Sequence, residues 1–293
     1  MYAVKADKLT KYYGRVRGIE ALDLCVSEGE FFGFIGPNGA GKSTTIRTLL
    51  GLIRPTGGSA SVLGLDIVKD KTEILKRVGY LPSEAVFWSG MRASEIIKLS
   101  SKLRGMDCSH EAARLAERLE LDLNRKADEL SFGNRKKVAI ICALQHSPKL
   151  LVLDEPTGGL DPLMQREFFN ILRERNETGA TVFLSSHVLS EVQRNCERAA
   201  IIREGRVIAC GSVSELAKTN AKRVVVRGAV PMEALSFVRD VKRTEESVSF
   251  LYGGDVKELL SVLNKSDISD FTVTEPDLEE IFLHYYGKDG EEA

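Results

Sequence analysis

The spacing of apolar residues changes repeatedly along the chain, and each change predicts an element. Met1 to Thr10 alternates polar and apolar positions, and residues 1–35 read as short strands turning at Tyr13-Gly14 and Glu28-Gly29. The unbroken apolar run Phe31-Phe32-Gly33-Phe34-Ile35 has the length of a buried strand. Spacing then becomes helical from Lys42 to Leu52, and Gly57-Gly58 opens another strand over Ser59 to Leu63. Between about residues 85 and 145 helical spacing dominates: Ser94 to Leu103 carries Ile96, Ile97 and Leu99, and Glu111 to Leu121 carries Ala112, Leu115, Ala116 and Leu119. Alternation resumes with a strand over Leu150 to Leu153, a helix over Leu163 to Arg175, a strand over Thr181 to Ser185, a helix from Val188 and a strand over Arg198 to Arg203. Strands alternating with helices predict a mostly parallel α/β core.

A different pattern starts after about Leu216. Val224 to Val226, Val241 to Arg243, Val248 to Tyr252 and Phe271 to Thr274 read as strands; Met232 to Val238, Val256 to Leu263 and Leu278 to Tyr286 read as helices. The order β-α-β-β-α-β with a terminal helix predicts a small α+β, ferredoxin-like sandwich. The expected division is therefore a main domain over residues 1–216, with a helical subdomain at about 85–145, and an accessory domain over 222–287. A length of 293 residues accommodates both.

Composition adds exclusions. With 43% hydrophobic and 28% charged residues the chain has the makings of a sizeable core, not of a disordered tail. The 41 Lys and Arg balance 42 Asp and Glu, so no global positive field draws in nucleic acid, and none is expected as a partner. Cys25, Cys108, Cys142, Cys196 and Cys210 are scattered without a C-x-x-C pair and read as reduced apolar fillers. The first residues lack the apolar core of a signal peptide, and no run reaches the ~18 apolar residues of a membrane span. Work at a membrane therefore calls for a second chain.

The densest chemistry lies in Gly36-Pro37-Asn38-Gly39-Ala40-Gly41-Lys42-Ser43, which satisfies G-x-x-x-x-G-K-[ST] between a predicted strand and a predicted helix. Glycines there let successive backbone N–H groups face phosphates, and the helix N-terminus adds partial positive charge. Lys42 is expected at the β- and γ-phosphates and the Ser43 hydroxyl on Mg²⁺, with Thr44 completing the nucleotide-binding stretch. A second element, Leu150-Leu151-Val152-Leu153-Asp154-Glu155, is an apolar strand ending in two acids. Such a strand end can deliver Asp154 to the metal and Glu155 to the attacking water. Alone that pattern is common; the upstream glycine loop gives it meaning.

Further stretches resemble the ABC ATPases. Leu130-Ser131-Phe132-Gly133-Asn134 resembles their LSGGQ signature, Gly159-Leu160-Asp161 their D-loop, Ser185-Ser186-His187 their switch histidine, Gly79-Tyr80-Leu81-Pro82 the start of their Q-loop, and Tyr13-Gly14 their aromatic contact for adenine. The resemblance covers roughly residues 1–216. It implies a P-loop ABC-type ATPase core with an antiparallel β subdomain and a helical subdomain, using ATP and Mg²⁺. It also implies two ATPase chains packed head to tail, a second copy or a homologue completing the site. Ser131, the Gly133 N–H and Asn134 of one chain would then face the γ-phosphate held by the other, and Asp161 would communicate across the pair. Lys42, Glu155 and His187 take the catalytic roles. The implied partner is an integral membrane permease, engaged at the cytoplasmic face of the membrane.

Several positions depart from that pattern. Phe132 stands where the first signature Gly is usual, Asn134 replaces Gln, and Ser83-Glu84 stand at the Q-loop Gln, leaving both Ser83 and Glu84 as candidate metal contacts. Arg135-Lys136-Lys137 reads as a solvated helix face before a phosphate-binding one. Phe87-Trp88 reads equally as the lining of a groove for a permease helix or as core. The tail from about Lys222 to Gly287, including Glu275 to Leu283, resembles an accessory domain of some bacterial export systems, and is expected to serve dimerisation or regulation. The leading expectation is an ATP-hydrolysing subunit powering a separate permease, in the export direction. Two alternatives stand beside it: a soluble ABC ATPase of repair, chromosome or translation type, and a low-turnover ATP-sensing scaffold.

Overall fold

The computed structural model describes residues 1–216, 222–244 and 246–274. The chain divides into two compact units, Met1–Val213 and the residues from Ser214 on. In chain order the first unit carries β1 (Tyr2–Tyr13), β2 (Val16–Ser27), β3 (Phe31–Ile35), α1 (Lys42–Leu49), β4 (Gly57–Val62), β5 (Leu65–Asp66), α2 (Lys71–Arg77) and β6 (Val78–Leu81). It continues through α3 (Ala93–Arg104), α4 (Ser109–Arg118), α5 (Phe132–Leu144), β7 (Leu150–Asp154), α6 (Pro162–Glu177), β8 (Thr181–Ser186), α7 (Leu189–Asn195), β9 (Arg198–Arg203) and β10 (Arg206–Ser212). The short α8 (Val213–Leu216) follows.

Strand burial explains the two sheets of this unit. Every residue of β3, β7 and β8 is buried, as strands covered on both faces require, and each carries a run of at least three apolar residues. They sit inside a sheet of order β10-β9-β3-β8-β7-β6, parallel except for the β10–β9 pair. A second, antiparallel sheet has the order β2-β1-β4-β5. One apolar core joins them, with Phe183 of β8 against Phe32 and Phe34 of β3 at ring distances of 5.8 and 5.4 Å. The first strands are longer than the sequence pattern suggested, because β1 and β2, twelve residues each, form one hairpin around the Tyr13-Gly14 turn.

The helical region spans α3 to α5, and α5 packs on α3, α4 and β6. Arg118 at the end of α4 bonds Glu167 at 2.6 Å and Glu174 at 2.5 and 2.8 Å, both on α6. Arg175 of α6 in turn pairs with Glu111 of α4, which also holds Arg114 at 2.8 Å. Bidentate guanidinium–carboxylate bonds fix orientation as well as distance, so this network sets the angle between α4 and α6.

The second unit contains β11 (Lys222–Gly228), β12 (Val238–Arg243), β13 (Ser247–Tyr252), α9 (Val256–Asn264) and β14 (Ile268–Thr274). Its sheet order is β12-β13-β11-β14 with every neighbouring pair antiparallel, the arrangement of a ferredoxin-like sandwich. The helix expected over Met232 to Val238 is absent: Met232–Ala234 is a single 3-10 turn, and β12 begins at Val238. Leu235 is buried and Met232 and Val238 pack partly against the same core, but Phe237 is exposed and turns with φ 59°, which a helix cannot accommodate. The helix expected over Leu278 to Tyr286 and the Glu275 to Leu283 stretch lie outside the described residues. The cysteine expectation needs one correction: Cys108 and Cys196 are buried and Cys25 and Cys142 half-buried, but Cys210 on β10 is exposed.

Candidate functional site

The glycine loop leaves the C-terminal end of β3, a central strand, where an open parallel sheet gathers its ligands. Two of its glycines have specific reasons to be glycine. Gly41, N-cap of α1, has φ 108°, and a Cβ there would come within 2.7 Å of the Gly18 oxygen. A Cβ on Gly36 would meet the Ile202 oxygen at 2.6 Å. The loop, together with Tyr13, Ser43, Thr44, Ser83 and Glu155, lines an open cleft of about 390 Å³. Asn38 and Gly39 form its exposed crest, while Gly36, Ala40 and Lys42 are buried. Val16, Arg17 and Gly18, which the sequence did not single out, line the same cleft.

Of the two acids at the end of β7, Glu155 lines this cleft and Asp154 does not. Strand β7 runs one residue further than its apolar run, so Asp154 is within the ladder, paired with Ser185. Asp154 is fully buried; Ser185 Oγ donates to its Oδ1 at 2.7 Å, and Oδ2 has no hydrogen-bond partner. Glu155 leaves the strand with φ 48°, its N–H donating to the Ser185 oxygen at 3.1 Å. One Glu155 carboxylate oxygen lies 3.0 Å from Lys42 Nζ, the other 2.6 Å from His187 Nδ1. Lys42 Nζ also donates to the Gly36 and Pro37 oxygens at 2.6 and 3.1 Å. Lys42, Glu155 and His187, distant in sequence, thus form one chain of contacts. His187 is 52% exposed and is free to meet a ligand from its outer side.

Lys136 corrects the expectation of a solvated helix face. It is 2% exposed, and its ammonium donates to the Pro82, Ser83 and Glu155 oxygens at 3.1, 2.9 and 3.0 Å. Burial pulls its pKa down to about 8, against the opposing pull of Asp154, Glu155 and Glu84. Helical spacing held the signal: Lys136 is in line with Ile140 and Leu144, both fully buried. Its neighbours Arg135 and Lys137 are half-buried.

Comparison with known proteins agrees with this geometry. Residues 19–158 match the ABC transporter family. The bacitracin transport ATP-binding protein BcrA of Bacillus licheniformis is 33% identical over 97% of both chains. The daunorubicin/doxorubicin resistance ATP-binding protein DrrA of Streptomyces peucetius is 36% identical over 76% of this chain and 69% of its own. A dimeric ATP-binding cassette solved in a post-hydrolysis state with ADP and Pi superposes with a TM-score of 0.64, at 25% identity, over 72% of this chain and 98% of that one. The chain belongs to the ATP-binding proteins of ABC transporters. It is an ATPase coupled to transport, and the soluble repair, chromosome or translation alternative is not favoured.

Set in ABC ATPase terms, the signature stretch opens α5. Ser131 is its N-cap, accepting from the Asn134 N–H at 3.3 Å, and Phe132 next to it is 48% exposed. The Phe132 ring lies on Gly159, and Gly133 is as close, a Cβ there falling 2.5 Å from the Gly159 oxygen. Asp161 caps α6, accepting from the Leu163 and Met164 N–H groups at 3.0 Å each, with Pro162 behind it. The two Q-loop candidates separate: Ser83 lines the nucleotide cleft, whereas Glu84 lines a neighbouring cleft of about 410 Å³ with Phe87, Asp128, Phe132 and Arg135. Phe87 is half-buried in that cleft and Trp88 is exposed, so neither is core. No helix among the described residues is long and apolar enough to cross a membrane.

Proposed function

We propose that two copies of this chain, or one copy and a homologue, close head to tail on ATP and drive a separate integral membrane permease from its cytoplasmic face, in the export direction. The contact chain Lys42–Glu155–His187 at the mouth of the glycine-loop cleft carries this reading. The backbone N–H groups of Gly39 and of Gly41 to Thr44 cradle the phosphates, and Lys42 neutralises them. Tyr13, at the open end of the same cleft, stacks on the adenine. Glu155 orients a water and takes its proton as that water attacks the γ-phosphate, while His187 fixes the carboxylate and touches the γ-oxygens. Ser131, the Gly133 N–H and Asn134 reach the γ-phosphate of the opposite chain, and Asp161 couples the two chains.

Mg²⁺ fits the oxygen donors at hand: Asp154 Oδ2 is buried and unsatisfied, and the Ser43 and Ser83 hydroxyls line the nucleotide cleft. When bound it screens the β- and γ-phosphate oxygens. Glu84, facing the other cleft, is not included among its ligands. That second cleft, lined by Val86, Phe87 and Phe132, suits a permease helix. The relatives named for bacitracin transport and daunorubicin/doxorubicin resistance suggest an antibiotic as the cargo. In Glu155→Gln, ATP binding should persist, turnover should drop about 100-fold or more, and an ATP-bound dimer should accumulate. Hydrolysis at the normal rate would remove Glu155 from this role. Pull-down of the tagged Glu155→Gln chain from membranes with ATP should recover an integral membrane protein; recovery of ribosomes or DNA instead would reverse the choice of partner.

A further inference from the structure

We propose that Lys136 is a positioning residue for ATP hydrolysis, its buried ammonium tying the segment that begins at Pro82 to the backbone of Glu155. The inference rests on the reading that Glu155 activates the water, and adds what holds Glu155 in place. Strands β6 and β7 are parallel neighbours whose ladder ends at the Leu81–Leu153 pair. Beyond it the chains diverge, and the Lys136 ammonium spans the gap. All three of its N–H donors are used, on the Pro82, Ser83 and Glu155 oxygens.

The tie acts on a backbone that needs one. Glu155 has φ 48°, a conformation that residues other than glycine seldom adopt, and its peptide groups are gripped from both sides. Ser185 takes the N–H and Lys136 the carbonyl. With the main chain fixed this way, the carboxylate falls between Lys42 and His187. At its other end Lys136 holds the start of the segment that runs on to Glu84 and Phe87, the lining of the second cleft. A push on that segment therefore reaches the catalytic carboxylate through a single side chain. A hydrophobic residue of similar length would fill the space and take the donor away from three half-buried carbonyls.

Steady-state ATP turnover, binding of a fluorescent ATP analogue and thermal melting of the full chain test the proposal, using Lys136→Met, Lys136→Gln and Lys136→Arg beside Glu155→Gln. Lys136→Met should lose about tenfold or more in kcat, the scale of a displaced catalytic group, while the nucleotide Kd stays within about twofold. Lys136→Arg, which keeps a cation with several donors, should recover at least about a third of wild-type kcat. Wild-type turnover in Lys136→Met overturns the proposal. So does a joint fall of kcat, affinity and melting temperature in which Lys136→Arg is no better than Lys136→Met. Should Lys136→Met fail to fold, Lys136→Gln is judged by the same outcomes. An active Glu155→Gln would instead sink the Glu155 reading, and an inactive one beside a normal Lys136→Met would sink the Lys136 proposal alone.

Discussion

The Phe132 ring lies over Gly159 so closely that a Cβ on the glycine would fall 2.2 Å from ring Cδ1. The Phe132-Gly133 stretch is thereby packed against Gly159, two residues before the α6 cap Asp161. Gly159 has φ 82°, so alanine there meets backbone strain as well as the ring. Gly159→Ala is expected to cost about 2 kcal/mol, part of it relieved when Phe132 is also cut to Ala, because the half-exposed ring is one of the two obstacles. Melting of the four proteins of the double-mutant cycle checks this; strictly additive shifts would disconnect the pair.

His187 touches Glu155 but is half exposed, so its loss should be felt in chemistry and not in folding. His187→Ala is expected to reduce kcat about 100-fold with an unchanged melting temperature. A matching fall in both would make the histidine a structural prop.

Asp154 is the buried acid with an unsatisfied oxygen. Chelation of divalent ions should stop turnover in the wild-type chain, and Asp154→Ala should raise the half-saturating Mg²⁺ concentration about tenfold or more. An unchanged Mg²⁺ titration would send the metal elsewhere.

His146, just beyond α5, supplies a pH dependence of stability. Burial, aided by the nearby Arg104 cation, lowers its pKa from 6.5 to about 4. The folded chain refuses a proton that the unfolded chain accepts below pH 6.5, so stability is whole above that pH and erodes as pH falls towards 4. A His146→Leu chain lacks this liability: relative to wild type its melting temperature should rise progressively between pH 6.5 and 4. A constant difference across that range would exclude the histidine as the source.

What the sequence made legible follows from how local each signal is. The glycine loop and the acidic strand end were readable because their chemistry is written in consecutive residues, and β3 and β7 because full burial leaves a run of apolar residues. Lys136 was misread because a charge run normally means solvent, and only its alignment with Ile140 and Leu144 gave it away. The stretch from Met232 failed for the opposite reason: its apolar residues suggested a helix, but Met232 and Leu235 reach the core from a single 3-10 turn and Val238 from the strand that follows. Val16 and Arg17 reach the cleft through the fold of the hairpin, a placement no local pattern encodes.

The left-handed backbone at Glu155 sets two kinds of selection against each other. A library randomised at this one position and sorted for folded protein should drift towards Gly and Asn, which tolerate that conformation at little cost. Sorted for transport, the same library should return to Glu. The gap between the two enrichments would measure how far catalysis, rather than folding, dictates the residue.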